Sequence, residues 1–130
     1  MYTNNSRLVG TIRNTRFPYW DRNKQKLGYK GRPVLILSVE NEMGKTDLTT
    51  IPVSKISDKR RIIKDSDIKI ERAQYPLLKW REDISYLRTS KITTINLGEV
   101  DRWEISDLKT HYPKLFENVL SEVKQFVNNL

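Results

Sequence analysis

Apolar and polar positions change period several times along this 130-residue chain, and the changes mark its elements. Leu8-Val9-Gly10-Thr11-Ile12 predicts a short first strand that stops at Asn14. Residues 14–31 are polar and interrupted by Pro18, Gly28 and Gly31, which predicts a long loop of the kind that carries function. Val34 to Leu37 then follow Arg32-Pro33 and predict a strand over Pro33–Val39, buried on both faces. Proline cannot donate to a ladder, so Pro33 is expected as that strand's first residue. Asn41 to Gly44 is a turn signal, and Leu48–Val53 completes a hairpin. Residues 55–67 are charged and expected at the surface. Ile68–Glu71 alternates and predicts an edge strand. Ser85–Arg88 and Lys91–Ile95 predict one further strand, bulged near Thr89.

The C-terminal segment has a different period. Ser106 is expected to cap a short helix that begins at Asp107. Pro113 suits the first turn of a second helix. Leu115, Phe116, Val119, Leu120, Val123, Phe126, Val127 and Leu130 recur at helical spacing, with Glu117, Glu122 and Lys124 off the stripe. This amphipathic helix is expected to pack on the sheet, with a second copy of the chain as the alternative. Short, antiparallel-compatible strands followed by a helix predict a β-rich α+β fold: a small, twisted antiparallel barrel with a C-terminal amphipathic helix. The length predicts a single domain over residues 1–130.

Charge sharpens this picture. The chain holds 24 Lys and Arg against 16 Asp and Glu, a net charge of +8. Residues 1–33 hold eight of the basic side chains and one acid, Asp21, so seven of the eight net charges lie in the first quarter. Arg16, Arg22, Lys24, Lys26 and Lys30 cluster there, with Phe17, Tyr19 and Trp20 among them. Cations interleaved with aromatic rings suit a polyanion whose bases can stack, and so predict an RNA-binding arm over residues 13–30. An acidic protein and a merely solvated surface are the competing readings. The absence of cysteine leaves no disulfide or thiolate metal site, and the single histidine, His111, leaves no His-rich zinc site. Asp65 and Asp67 form a weak acidic pair. Met1 to Arg7 has no apolar stretch of signal-peptide type, and no apolar run is long enough to span a membrane, which predicts a cytoplasmic protein.

The most specific motif is Gly31-Arg32-Pro33-Val34-Leu35-Ile36-Leu37-Ser38. Proline restricts the backbone of the residue before it, so Arg32 presents a permanently charged fork from a rigid strand. It is preceded by Gly10-Thr11-Ile12 and followed by Ile51-Pro52-Val53-Ser54. The series closes on Ser85-Tyr86-Leu87-Arg88-Thr89-Ser90-Lys91-Ile92-Thr93-Thr94-Ile95. This ordered set, from Gly10 to Ile95, resembles the MazF/PemK toxins of bacterial type II toxin–antitoxin systems. The resemblance implies an SH3-like barrel that forms a homodimer. It also implies a ribosome-independent, cofactor-free and metal-free endoribonuclease acting on single-stranded RNA, with a cognate antitoxin that inserts into the RNA groove.

Metal-free RNA cleavage requires loss of the 2′-hydroxyl proton, stabilisation of a pentavalent phosphorane and protonation of the 5′-oxygen. By resemblance, Arg32 binds the scissile phosphate, Ser54 stands where many members carry threonine and hydrogen-bonds that phosphate, and Arg88 is a proton donor or phosphate clamp. Ser85 belongs to the family's Ser-Tyr pair and is expected at the RNA. Two acids of the family are missing. Ser90 occupies the place of an aspartate assigned general-base work, and Lys24-Gln25 replaces a glutamate–glutamine pair. Glu40, Glu82 and Asp83 are the remaining candidate bases. The loss of the two family acids supports a second expectation, a catalytically silent SH3-like module that binds RNA or protein.

Overall fold

A computed structural model of the chain describes residues 4–56, 59–63 and 66–130, and for residues 17–19 and 29–30 it describes the backbone alone. The strands are β1 (Thr11–Asp21), β2 (Lys26–Val39), β3 (Asp47–Ser54), β4 (Asp67–Glu71), β5 (Ile84–Arg88), β6 (Thr93–Asn96) and β7 (Ser106–Asp107). They form one curled antiparallel sheet in the order β4-β5-β3-β2-β1-β7, with β6 also paired to β3. Two helices follow, α1 (Leu108–His111) and α2 (Pro113–Asn128). A strand-rich half-barrel with a C-terminal helix is the architecture expected from the sequence.

Several elements differ from expectation. Residues 14–31 are not a loop: β1 and β2 pair without interruption from Ile12↔Leu35 to Asp21↔Lys26. A four-residue turn joins them, in which the Asp21 carboxylate accepts hydrogen bonds from the N–H groups of Asn23 (3.0 Å) and Lys24 (3.1 Å). Gln25 closes the turn at φ 50°. Asp and Asn favour such local bonding, whereas the loop prediction rested on Pro18 and the glycines. Pro33 is likewise interior to β2. Asn14, its partner in β1, turns its carbonyl outward to the N–H of Asp101 (2.9 Å). By alternation the nitrogen of Pro33 faces β3, whose pairing with β2 begins only at Val34↔Pro52. The missing donor therefore costs no ladder bond. The predicted first strand starts later, because Asn5–Leu8 form a 3-10 turn capped by Asn4. The predicted bulged strand is two strands, separated by a turn in which the Lys91 N–H donates to the Arg88 carbonyl (3.0 Å). Asp107, not Ser106, caps α1: its carboxylate accepts from the Thr110 N–H (3.1 Å).

Alternation gives the sheet two apolar faces. The concave face carries Ile12, Leu35, Ile51, Val53, Ile70 and Leu87 against Leu108, Leu115, Phe116 and Val119 of the helices. Leu78 and Trp80, from the segment between β4 and β5, close its side. A smaller cluster of Leu8, Ile36 and Leu48 lies on the convex face, joined by Leu97 and Val100. The helical stripe is buried only in its first half, and Val127 and Leu130 are exposed.

Gly10 joins the two layers. Its N–H donates to the Ile36 carbonyl (2.7 Å), and its carbonyl accepts from Leu108 (2.9 Å) and Lys109 (3.1 Å). It has φ 84°, and a Cβ there would collide with Cβ of Lys109. Gly10→Ala should therefore cost about 1–3 kcal/mol. A urea titration should show a lower midpoint and an unchanged slope; an unchanged midpoint would show that α1 moves aside freely.

Candidate nucleic-acid interface

The β1–β2 hairpin extends well past the body of the fold. β1 makes its last outer bridge at Thr15↔Val100, and β2 leaves β3 at Val34. Beyond these points no described strand pairs with either outer edge of the ribbon. Arg16 is exposed beside Gly31, and Arg22, Lys24 and Lys26 surround the tip. Trp20 and Leu27 stand directly opposite one another there, 58% and 62% exposed. The arm thus combines cations with an exposed aromatic and aliphatic pair. The side chains of Tyr19 and Lys30 lie outside the described residues, as does Asp65.

Arg32 sits at the arm's root, opposite Thr15. The Thr15 hydroxyl donates to the Arg32 carbonyl (2.9 Å), fixing the backbone there, and the Arg32 side chain is exposed. The register Val34↔Pro52, continued by two residues, brings Arg32 and Ser54 to matching positions at the ends of diverging strands. Ser54 is half-buried and pairs with Tyr86. Alternation places Arg32, Ser54, Tyr86 and Arg88 all on the convex face.

Arg88 is committed to structure there. Its Nε donates to Oδ1 of Asp67 (3.0 Å) and its Nη2 to the Arg61 carbonyl (3.2 Å). The other Asp67 oxygen accepts from the Ile63 N–H (2.9 Å). The Asp67 side chain is fully buried, against 14% exposure for Arg88. Together with the Thr89 hydroxyl, which donates to the Ser66 carbonyl, this network ties Lys59-Arg60-Arg61 to the sheet. Asp67 thus corrects the expectation that residues 55–67 are all exposed. Alternation could not reveal it, because its partner lies 21 residues further along the chain.

Ser85 is not with Arg32. It is buried on the concave face, and its Oγ accepts a hydrogen bond from Trp80 Nε1 at 2.7 Å. Alternation groups it with Asn14, Gly31, Pro33, Val53 and Lys55, which line a cavity of about 360 Å³ closed by Lys79, Trp80, Arg81, Glu82 and Ile105. Sequence reading missed this cavity, because the 79–83 segment has no periodicity and contributes through its fold alone.

The candidate bases have other roles. Glu82 pairs with Lys55 (3.4 Å) and Asp83 with Arg72 (2.5 Å). Glu40 follows the far end of β2, eight residues from Arg32, or roughly 26 Å along an extended strand. Ser90 Oγ is buried without a hydrogen-bond partner among the described residues. No cluster of three potential metal ligands occurs among the described residues. No helix among them is long and apolar enough to cross a membrane.

No protein-family model and no curated protein matches the chain. The resemblance to MazF/PemK toxins therefore rests on the motifs quoted above.

Asp67→Ala should leave the Arg88 guanidinium largely buried and unpaired, at a cost of about 3–5 kcal/mol. Replacing both residues with apolar ones should cost less than the single change. Thermal unfolding of the two variants checks this; equal losses would show that the pair is not coupled.

Proposed function

We propose that this protein binds single-stranded RNA through its basic arm and cleaves it on the convex face, as an endoribonuclease toxin of MazF/PemK type. The observation that carries the reading is the placement of an exposed Arg32, on a rigid strand, on the same face as Ser54, which takes the matching position of β3 two residues beyond the last β2–β3 pair. Arg32 grips the scissile phosphate and stabilises the phosphorane charge, and Ser54 hydrogen-bonds a non-bridging oxygen. The 2′-oxygen attacks phosphorus while the bond to the 5′-oxygen breaks, giving a 2′,3′-cyclic phosphate and a 5′-hydroxyl. The 2′-hydroxyl proton passes to water, and water protonates the leaving oxygen. Arg88 acts indirectly, tying Lys59–Arg61 to the sheet. A metal-free route suits this donor set, which has no cysteine and one histidine. A symmetric homodimer, a cognate acidic antitoxin that competes for the arm and a cytoplasmic setting belong to the same proposal.

A specific observation favours the second reading, an RNA- or protein-binding module without catalysis. Glu82, Asp83 and Asp67 each have a basic partner. Folded protein that shifts RNA on a native gel and leaves it intact would establish that reading.

Arg32→Ala should abolish cleavage and leave unfolding unchanged, because the side chain is exposed. Arg32→Lys should restore only part, since an ammonium lacks the two-pronged fork. Products formed in EDTA should carry 5′-hydroxyl ends. Full activity of folded Arg32→Ala, or 5′-phosphate ends, would overturn the assignment.

The arm makes a separate expectation. Neutralising Arg22, Lys24 and Lys26 together should flatten the salt dependence of RNA binding by about 2 in log–log slope, at roughly 0.7 per phosphate contact. Trp20→Ala should weaken binding by about 1–3 kcal/mol and keep the slope. Binding isotherms at several salt concentrations separate the two; a triple variant with unchanged affinity and slope would remove the arm from the interface.

A further inference from the structure

We propose that the concave-face cavity takes one nucleotide of the bound RNA, an inference that rests on the RNA reading above and gives that strand a second point of contact. Position is the first argument. Asn14, Gly31 and Pro33 line the cavity and belong to the root of the arm. By alternation Arg16, Trp20 and Leu27 lie on the same face of the ribbon, so an aromatic ring and a cation lead from the tip to the cavity mouth. Just across the sheet are Arg32 and Ser54. There β2 and β3 diverge, so a strand passing the root of the arm meets both faces.

Chemistry is the second argument. Pro33, Val53 and Ile105 give apolar walls. The Asn14 amide can both donate and accept. Ser85 Oγ accepts from Trp80, so its own hydrogen remains to donate. These groups suit a flat heterocycle with polar edges. Lys55 is offset by Glu82, whereas Lys79 and Arg81 have no acidic partner among the described residues and suit a phosphate. Lys79 holds a left-handed backbone at φ 54° at the end of the Pro76–Leu78 turn, a conformation that side chains other than glycine rarely adopt. About 360 Å³ is room for a single nucleotide.

The Trp80 indole N–H, locked onto Ser85, reports on the cavity by NMR of the whole chain, with Trp80→Phe assigning its signal. Uridine and adenosine 3′-monophosphates should shift that signal saturably. Inorganic phosphate or uridine alone should bind at least about tenfold more weakly. Lys79→Asn with Arg81→Gln should lower nucleotide affinity at least about tenfold and leave the unliganded indole signal in place. In RNA cleavage the same double variant should raise KM and spare kcat. No shift with either nucleotide overturns the proposal, as do an equal response to phosphate alone and full affinity in the double variant. Absent RNA cleavage with the nucleotide shift intact would remove the nuclease reading and leave the cavity's ligand class standing. Cleavage without the shift would do the reverse.

Discussion

A strand can ladder with one neighbour at a time on each edge, and β3 uses its outer edge for two. Asp47 to Thr50 pair with β6, and Val53 and Ser54 pair with β5. Pro52 lies at the exchange. The neighbouring Thr50 faces β6, so alternation points the Pro52 nitrogen at the gap between the two partners, where no donor is needed. The exchange curls the sheet around α2 and draws β3 away from β2 beyond Val34. Both candidate surfaces depend on that divergence. It leaves Arg32 exposed and Ser54 half-buried on one face and opens the cavity beside Pro33 and Lys55 on the other.

The basic excess is divided between structure and surface. Arg13 is buried in β1, where it donates to the carbonyl of Arg102 (2.6 Å) and to the hydroxyl of Thr11 (2.9 Å). Desolvation lowers its pKa from the ordinary guanidinium value, opposed by the Glu104 carboxylate 4.0 Å away. Arg13 fastens the 101–104 segment over the convex face as Arg88 fastens Lys59–Arg61. The arm's arginines and Arg32 stay available to a polyanion, held by continuous pairing from Ile12 to Asp21. A two-stranded ribbon alone is marginal in water. Here it is an extension of strands already anchored in the core, so its cations keep a defined spacing.

This division bears on chemistry. Arg32 can supply phosphate binding and charge stabilisation, which are electrostatic and need only position. General-base work needs a free acceptor close to the 2′-oxygen, and Glu82, Asp83 and Asp67 are each held in an ion pair. Affinity and orientation are therefore better provided for than proton transfer. The cavity adds to the side that is well provided, because a bound nucleotide would fix the strand relative to Arg32.

Hydrophobic spacing by itself determined the β2–β3 hairpin, the edge strand β4, the start of α2 at Pro113 and the antiparallel fold class. Each is a local pattern in which burial on one side repeats at the period of the element. The proline after Arg32 singled that residue out, because it constrains the backbone before it, whereas Ser54 came from the resemblance alone. Tertiary structure alone decided that residues 14–31 form a ribbon, since cross-strand pairing offset its proline and glycines. It alone placed Ser85 behind the sheet and Arg88 against Asp67. Face assignment depends on which strand pairs with which, and β5 takes its neighbours from residues 13 to 34 positions upstream. Pairings at that distance leave no periodic trace in the chain, because they are set by how the sheet closes and not by the order of neighbouring residues.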